Sequence, residues 1–209
     1  MKSTLFNMVA VLFTITLIAS AGVGAVNMIT EDAIAEATVA AVANVLPAFE
    51  KSEMSTMTID DMPINIYTAV DGSGAVVGYA VETMTMSGFS GKVRMMVGFD
   101  AEGTILNVNV LEQSETPGLG SKMCDEGNVL LASVQGKNPA NLKLKVKKDG
   151  GDIDALTAAT ISSRAYADAV ARAYEAFKVA SGAQESTDGV SGATATHEGH
   201  DAQEGGDNE

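Results

Sequence analysis

The sequence predicts an α+β fold. A twisted antiparallel sheet is packed by helices, behind an N-terminal transmembrane helix and ahead of a disordered acidic C-terminal tail. Three observations carry this reading. A stretch without a charged side chain runs from Ser3 to Thr30. Runs in which Val, Ile, Tyr and Thr alternate with polar residues are separated by Gly-containing turns. An amphipathic segment at helical spacing then closes the ordered part.

The uncharged stretch, STLFNMVAVLFTITLIASAGVGAVNMIT, exceeds the roughly 20 residues needed to cross a bilayer core. Lys2 and the α-amino group precede it, and Glu31, Asp32 and Glu36 follow. The positive-inside rule then places the N-terminus in the cytoplasm and the remainder outside. A cleaved signal peptide is the competing reading, because Ala19–Ala21 offers a small-residue cleavage site. Apolar residues continue past that site through Val23, Val26, Met28 and Ile29, which favours a retained anchor. The expected organisation is an anchor over residues 1–30, an exported domain over 31–180 and a tail over 181–209.

The Ala-rich segment from Glu31 to Phe49 carries Ile34, Val39, Val42, Val45 and Leu46 near helical spacing and acids in its first turn. It is expected to be a helix leading off the membrane, ended by Pro47. Strands are expected at INIYTAVD, AVVGYAVETMTM, KVRMMVGFD and TILNVNVLEQ, joined through GSG, GFSG and DAEG turns as antiparallel hairpins. A further strand with a Lys-bearing face is expected at NLKLKVKKDGGDI, where Lys143, Lys145 and Lys147 recur with period two and Lys148 follows. That face is a solvated one or a dock for an acidic partner. GNVLLASVQGK suits a short helix. From Ser162 or Ser163, SRAYADAVARAYEAFKVA is a helix with Tyr166, Val170, Ala173, Tyr174 and Phe177 on one face and Arg164, Asp168, Arg172 and Glu175 on others. Beyond Ser181 the chain has seven acids and no Lys or Arg, a composition that cannot bury enough surface to fold alone.

Composition excludes several functions. A formal charge of −14 argues against nucleic acid, whose phosphates would repel the chain. The lone Cys124 cannot form an internal disulfide or hold a zinc or iron–sulfur site, and is expected to be packing filler. Both histidines, His197 and His200, lie near the C-terminus, so the folded body has no His base, no His ligand and no Ser-His-Asp triad. Any redox or transfer chemistry there needs a cofactor. Met84, Met86, Met95 and Met96 are expected in the core, since thioethers without His or Cys make a poor copper site.

Two words of the sequence are nearly repeated: DALTAAT (Asp154–Thr160) and DGVSGAT (Asp188–Thr194). Thr160 immediately precedes the predicted helix, whose unpaired N–H groups and positive dipole end favour a phosphate. Ser162 and Ser163 supply hydroxyls there, or cap the helix. As plain structure, Thr157, Thr160 and Ser163 are capping residues, and ETPGLG (Glu115–Gly120) is a Pro-Gly turn.

The order of anchor, GFSGKVRMMVGFDAEGTILNVNVLEQSETPGLGSKM and DALTAATISSRAYADAVARAY resembles the FMN-binding G subunit of the Rnf-type ion-translocating electron transport complex. It is similar, more distantly, to the C subunit of the Na⁺-translocating NADH:quinone reductase. The resemblance implies an FMN-binding domain whose flavin phosphate is esterified to the last Thr of the motif by a dedicated flavin transferase. Carried over, that residue is Thr160, with Asp154, Thr157 and Ser163 around it and Glu115, Thr116 and Leu119 as non-covalent flavin contacts. Thr194 is the alternative covalent site, or a second one. The family has Gly where this chain has Ala158, a turn position at which φ > 0 would suit Ala poorly. It often has His at the place of Gln113. The implied function is an electron relay between ferredoxin and NAD coupled to Na⁺ or H⁺ transport, among other membrane and peripheral subunits of the complex. The alternatives from other classes are a membrane-anchored interaction module without flavin and a stand-alone exported flavoprotein reductase.

Overall fold

The computed structural model describes residues 2–183. The second motif, with Thr194, and all but the first residues of the acidic tail lie outside them.

Helix α1 spans Lys2–Ala43. Within it Phe6–Val26, 21 residues of mean hydropathy 2.2, is long and apolar enough to cross a membrane and is exposed throughout. One helix stands where the sequence suggested an anchor and a separate second helix. No Gly or Pro interrupts the segment from Ala25 to Ala43, so nothing stops propagation of the backbone ladder. The helix ends four residues before Pro47, in a turn in which Val42 O accepts from Val45 N at 3.1 Å and Leu46 N at 3.0 Å. Proline disfavours helix in the residue before it, and this end respects that.

Five strands follow: β1 Lys51–Ile59, β2 Met62–Val70, β3 Val76–Gly88, β4 Gly91–Phe99 and β5 Ile105–Gln113. They form one antiparallel meander in chain order. The predicted strands are β2 to β5. β1 (KSEMSTMTI) went unpredicted because it is an edge strand whose residues are mostly exposed, so it lacks the apolar alternation that marks a half-buried strand.

Each face of the sheet has its own core. On one face Ile64, Ile66, Val81, Val93, Met95, Val97 and Phe99 pack against helix α3 (Thr160–Ala180) through Tyr166, Val170, Ala173 and Phe177. Helix α2, Val129–Val134, joins this core with Leu130 and Val134, and Asn128 caps it by accepting from Leu130 N and Leu131 N at 3.0 Å each. On the other face the end of α1 and the turn that follows it seat Val42, Val45 and Leu46 on Tyr67, Ala69, Ala80 and Met96. That seat depends on Gly98, where any Cβ would collide with the carbonyl of Val45.

The remaining differences have local causes. NLKLKVKKDGGDI forms no strand: its only ladder contact is an isolated bridge between Val146 and Ile153, flanked by short 3-10 turns at Pro139–Asn141 and Lys147–Asp149. Burial still alternates, with Val146 buried between exposed lysines, but the segment bridges to its own Ile153 and not to the sheet. Cys124 is exposed rather than packed inside, and burial of part of its surface together with Asp125 raises its thiol pKa. Met95 and Met96 are core residues as expected, whereas Met84 is half-buried and Met86 is exposed. Arg172, assigned to a polar helix face, is buried. Its guanidinium donates to Met84 O at 2.8 Å and pairs with Asp168 at 3.2 Å, and Asp168 accepts from Thr85 Oγ1 at 2.7 Å.

Candidate functional site

At the end of the sheet away from the α1 seat, three segments converge: the β3–β4 turn, the ETPGLG loop and the start of α3. They enclose a cleft of about 300 Å³ lined by Phe89, Thr116, Leu119, Gly120, Ala158, Ala159, Thr160, Ile161 and Ser162.

Each wall follows from local sequence. Thr116-Pro117-Gly118-Leu119 closes a turn in which Leu119 N donates to Thr116 O at 3.1 Å; Gly118 has φ +75°. Proline second and a positive-φ glycine third is the requirement of a type II turn. Gly118 N also donates to Ser121 Oγ at 2.9 Å. The turn before α3 is set by Ala159 N donating to Leu156 O at 3.1 Å, with Ala158 at φ +59°. Ala158 therefore holds the left-handed conformation that glycine adopts without a Cβ penalty. The position does take φ > 0, and the structure shows the turn forming with alanine in place.

The helix start lies at Thr160, two or three residues earlier than predicted, with Ala159 as N-cap and no side chain capping it. The first N–H groups of a helix have no intrahelical acceptor, and here no cap residue takes them. Ser163 binds backward instead: its Oγ accepts from Leu156 N and donates to Ala159 O, both at 2.9 Å. Around the opening, Phe89, Ile161 and Leu119 are 65%, 46% and 40% exposed and form an apolar rim.

The predicted site residues fall into three sets. Thr160, Thr116 and Leu119 line the cleft. Glu115 and Ser163 are buried behind it. The Glu115 carboxylate accepts from Ser90 N at 2.9 Å and from Ser162 Oγ. Glu115 thus ties the hairpin, the loop and α3 together and presents no surface to the cleft. Asp154 and Thr157 lie outside the lining. The Asp154 carboxyl is held below the usual carboxylate range by a 2.6 Å bond from Lys147, and its backbone N–H donates to Ser133 Oγ at 2.9 Å. Gln113, at the place of the family histidine, accepts from Glu115 N at 2.6 Å and so anchors the loop. Sequence reasoning missed Phe89 and Ile161. The signal for Phe89 was an aromatic inside a hairpin turn, GFSG, where no core exists to bury it.

Known proteins are similar to this chain in sequence. The G subunit of the ion-translocating oxidoreductase complex of Shewanella amazonensis is 35% identical over 173 residues, covering 75% of this chain and 80% of that protein. The chain belongs to the family of these G subunits. The Shewanella loihica member is 40% identical over 117 residues, 54% of each chain. The Erwinia tasmaniensis member is 41% identical over 99 residues, 46% of this chain and 47% of that protein. Against these two the chain spans about half of the relative's length. The FMN-binding domain family matches residues 88–175, a span that begins at the β3–β4 turn and ends within α3, so every lining residue of the cleft falls inside it. The crystal structure of Shewanella oneidensis NqrC aligns with a TM-score of 0.40 at 22% identity, over 64% of this chain and 66% of that one.

The cleft suits FMN by its own chemistry. An uncapped helix start offers N–H donors and the positive end of a 21-residue helix to a phosphate. The apolar rim of Phe89, Leu119 and Ile161 suits a flat ring system.

Proposed function

We propose that this chain is the flavin-carrying electron relay of an Rnf-type ion-translocating oxidoreductase complex. In this reading its FMN is esterified through the phosphate to Thr160 Oγ1, and Phe89, Leu119 and Ile161 border the ring system. The observation that carries it is the position of Thr160: a hydroxyl in the first turn of an uncapped helix, opening into the cleft that lies within the FMN-binding match. FMN supplies the electron chemistry. The chain's residues bind the phosphate, border the ring and exclude water, and the absence of His from residues 2–183 fits a carrier without a substrate acid or base.

The reading extends to the remainder of the complex. A flavin transferase matures the protein, and the domain after α1 lies on the extracytoplasmic side, where covalent attachment prevents loss of the cofactor. Neighbouring membrane and peripheral subunits supply and accept the electrons. Asp154, Thr157 and Ser163 then act in recognition or in shaping the turn. Thr194, in the better match by letters, is a second acceptor or a bystander. The experiment is peptide mass mapping of protein produced with a flavin transferase. The FMN mass is expected on the Thr160 peptide and lost in Thr160→Ala; FMN found only on the Thr194 peptide, or on neither, rejects the assignment.

A further inference from the structure

Glu115 was expected to touch the flavin, but the structure puts it one layer deeper. It is 4% exposed, and each carboxylate oxygen accepts a hydrogen bond, Oε1 from Ser90 N at 2.9 Å and Oε2 from Ser162 Oγ. Among the described residues no cation pairs with it, and both donors are neutral. The floor of the cleft above it is Gly120. A Cβ on Gly120 would stand 2.8 Å from Glu115 Oε2 and would collide with Ser162 Oγ. Gly120, which has no side chain, and the Ser162 hydroxyl therefore separate the carboxylate from whatever occupies the cleft. A charge buried without a counter-cation acts through a low effective dielectric, and its field reaches further than that of a solvated acid.

We propose that Glu115 is a fixed negative charge beneath the cleft that lowers the reduction potential of FMN bound above it. The inference rests on the functional reading given above. Reduction adds negative charge to the flavin, and an anion held close by opposes that gain. The same carboxylate positions the three walls, so a role in potential must be separated from one in packing.

The test uses the full-length chain purified in detergent with its FMN, with midpoint potentials read from flavin absorbance. Glu115→Gln keeps the shape and both contacts, since the amide oxygen accepts from Ser90 N–H and the amide nitrogen donates to Ser162 Oγ. Its flavin is expected to titrate at a higher potential than wild type. Glu115→Asp keeps the charge on a shorter side chain and is expected to titrate closer to wild type than Glu115→Gln does, whereas loosened packing alone would move the shorter Asp variant further. An unchanged or lowered potential in Glu115→Gln overturns the proposal. Should that variant not fold, an unchanged or lowered potential in Glu115→Ala does the same. Wild-type chain that carries no FMN instead refutes the functional reading, a result distinct from loaded protein whose potential ignores the loss of the charge.

Discussion

Ala158 shows how one residue records a demand of the backbone. At φ +59° an L-residue meets its own Cβ, at a cost of roughly 1–2 kcal/mol. Glycine escapes that cost and loses about 0.4–1 kcal/mol through its freer unfolded chain. The balance favours Ala158→Gly, expected to stabilise the protein by about 0.5–1 kcal/mol, read as a higher midpoint in urea with unchanged slope. Equal or lower stability would mean that the turn relaxes around alanine. This need for φ > 0 was legible in the sequence only as a departure from the family's glycine. Residues whose role lies in a distant contact were not legible at all. Glu115 was expected at the flavin, and nothing in its spacing marked its partners Ser90 and Ser162, which stand 25 and 47 positions away. Arg172 likewise shows helical spacing that fits a polar face, while its guanidinium caps Met84 O, 88 positions away. Burial of a charge depends on partners that periodicity cannot supply.

At the scale of elements, strands with one buried face were readable and those without were not. β2 to β4 alternate because one face meets α3, and β5 because the same face carries α2, whereas β1 is an exposed edge and kept no such signature. The lysine-rich segment kept the alternation but found no partner strand. It folds back on itself instead, with Lys147 N donating to Ile153 O at 2.8 Å and Ile153 N to Lys145 O at 3.0 Å, and a side-chain clamp fastens it to the domain. Asp149 receives Arg164 Nε at 2.6 Å and Nη2 at 2.8 Å, which fastens the 3-10 turn Lys147–Asp149 to the second turn of α3. The pairing with Arg164 lowers the Asp149 pKa. A carboxyl whose folded pKa is depressed adds stability above its unfolded value of about 3.9, and that contribution disappears as pH falls through the folded value. Asp149→Asn is therefore expected to melt below wild type at pH 7, with the two melting temperatures converging as pH drops under about 3.9. A gap that persists at about pH 2 would mean that the asparagine disturbs the turn by shape and not by charge. The pair is exposed, so solvent and salt screen it, and the gap at pH 7 is expected to shrink with added salt.

At the scale of the molecule, anchor and domain share a helix. The sequence divides them near residue 30, where hydropathy falls and acids begin, and the structure carries α1 through that point to Ala43. Hydropathy marks where a helix leaves the bilayer and says nothing about where its hydrogen bonding stops, so the break in composition is not a break in the fold. The end of α1 and the turn that follows it are a structural part of the domain: Val42, Val45 and Leu46 are 1%, 2% and 7% exposed and cover Tyr67, Ala69, Ala80 and Met96. Two truncations separate the roles. Removing residues 1–26 deletes the apolar span and keeps the seat, so the product is expected in the soluble fraction with the thermal stability of the intact domain. Removing residues 1–46 takes the seat as well. Each of its three buried aliphatic side chains contributes about 1.5–3 kcal/mol by area, an upper bound, and the second face of the sheet opens to water. A loss of about 3–5 kcal/mol is expected by urea denaturation, with new binding of a hydrophobic dye to the exposed face. Equal stability of the two products would make this seat a mere spacer. Unequal stability makes it the joint through which the membrane helix holds the sheet, at the end of β4 opposite the cleft, since the seat lies at Gly98 and the cleft beyond Gly91.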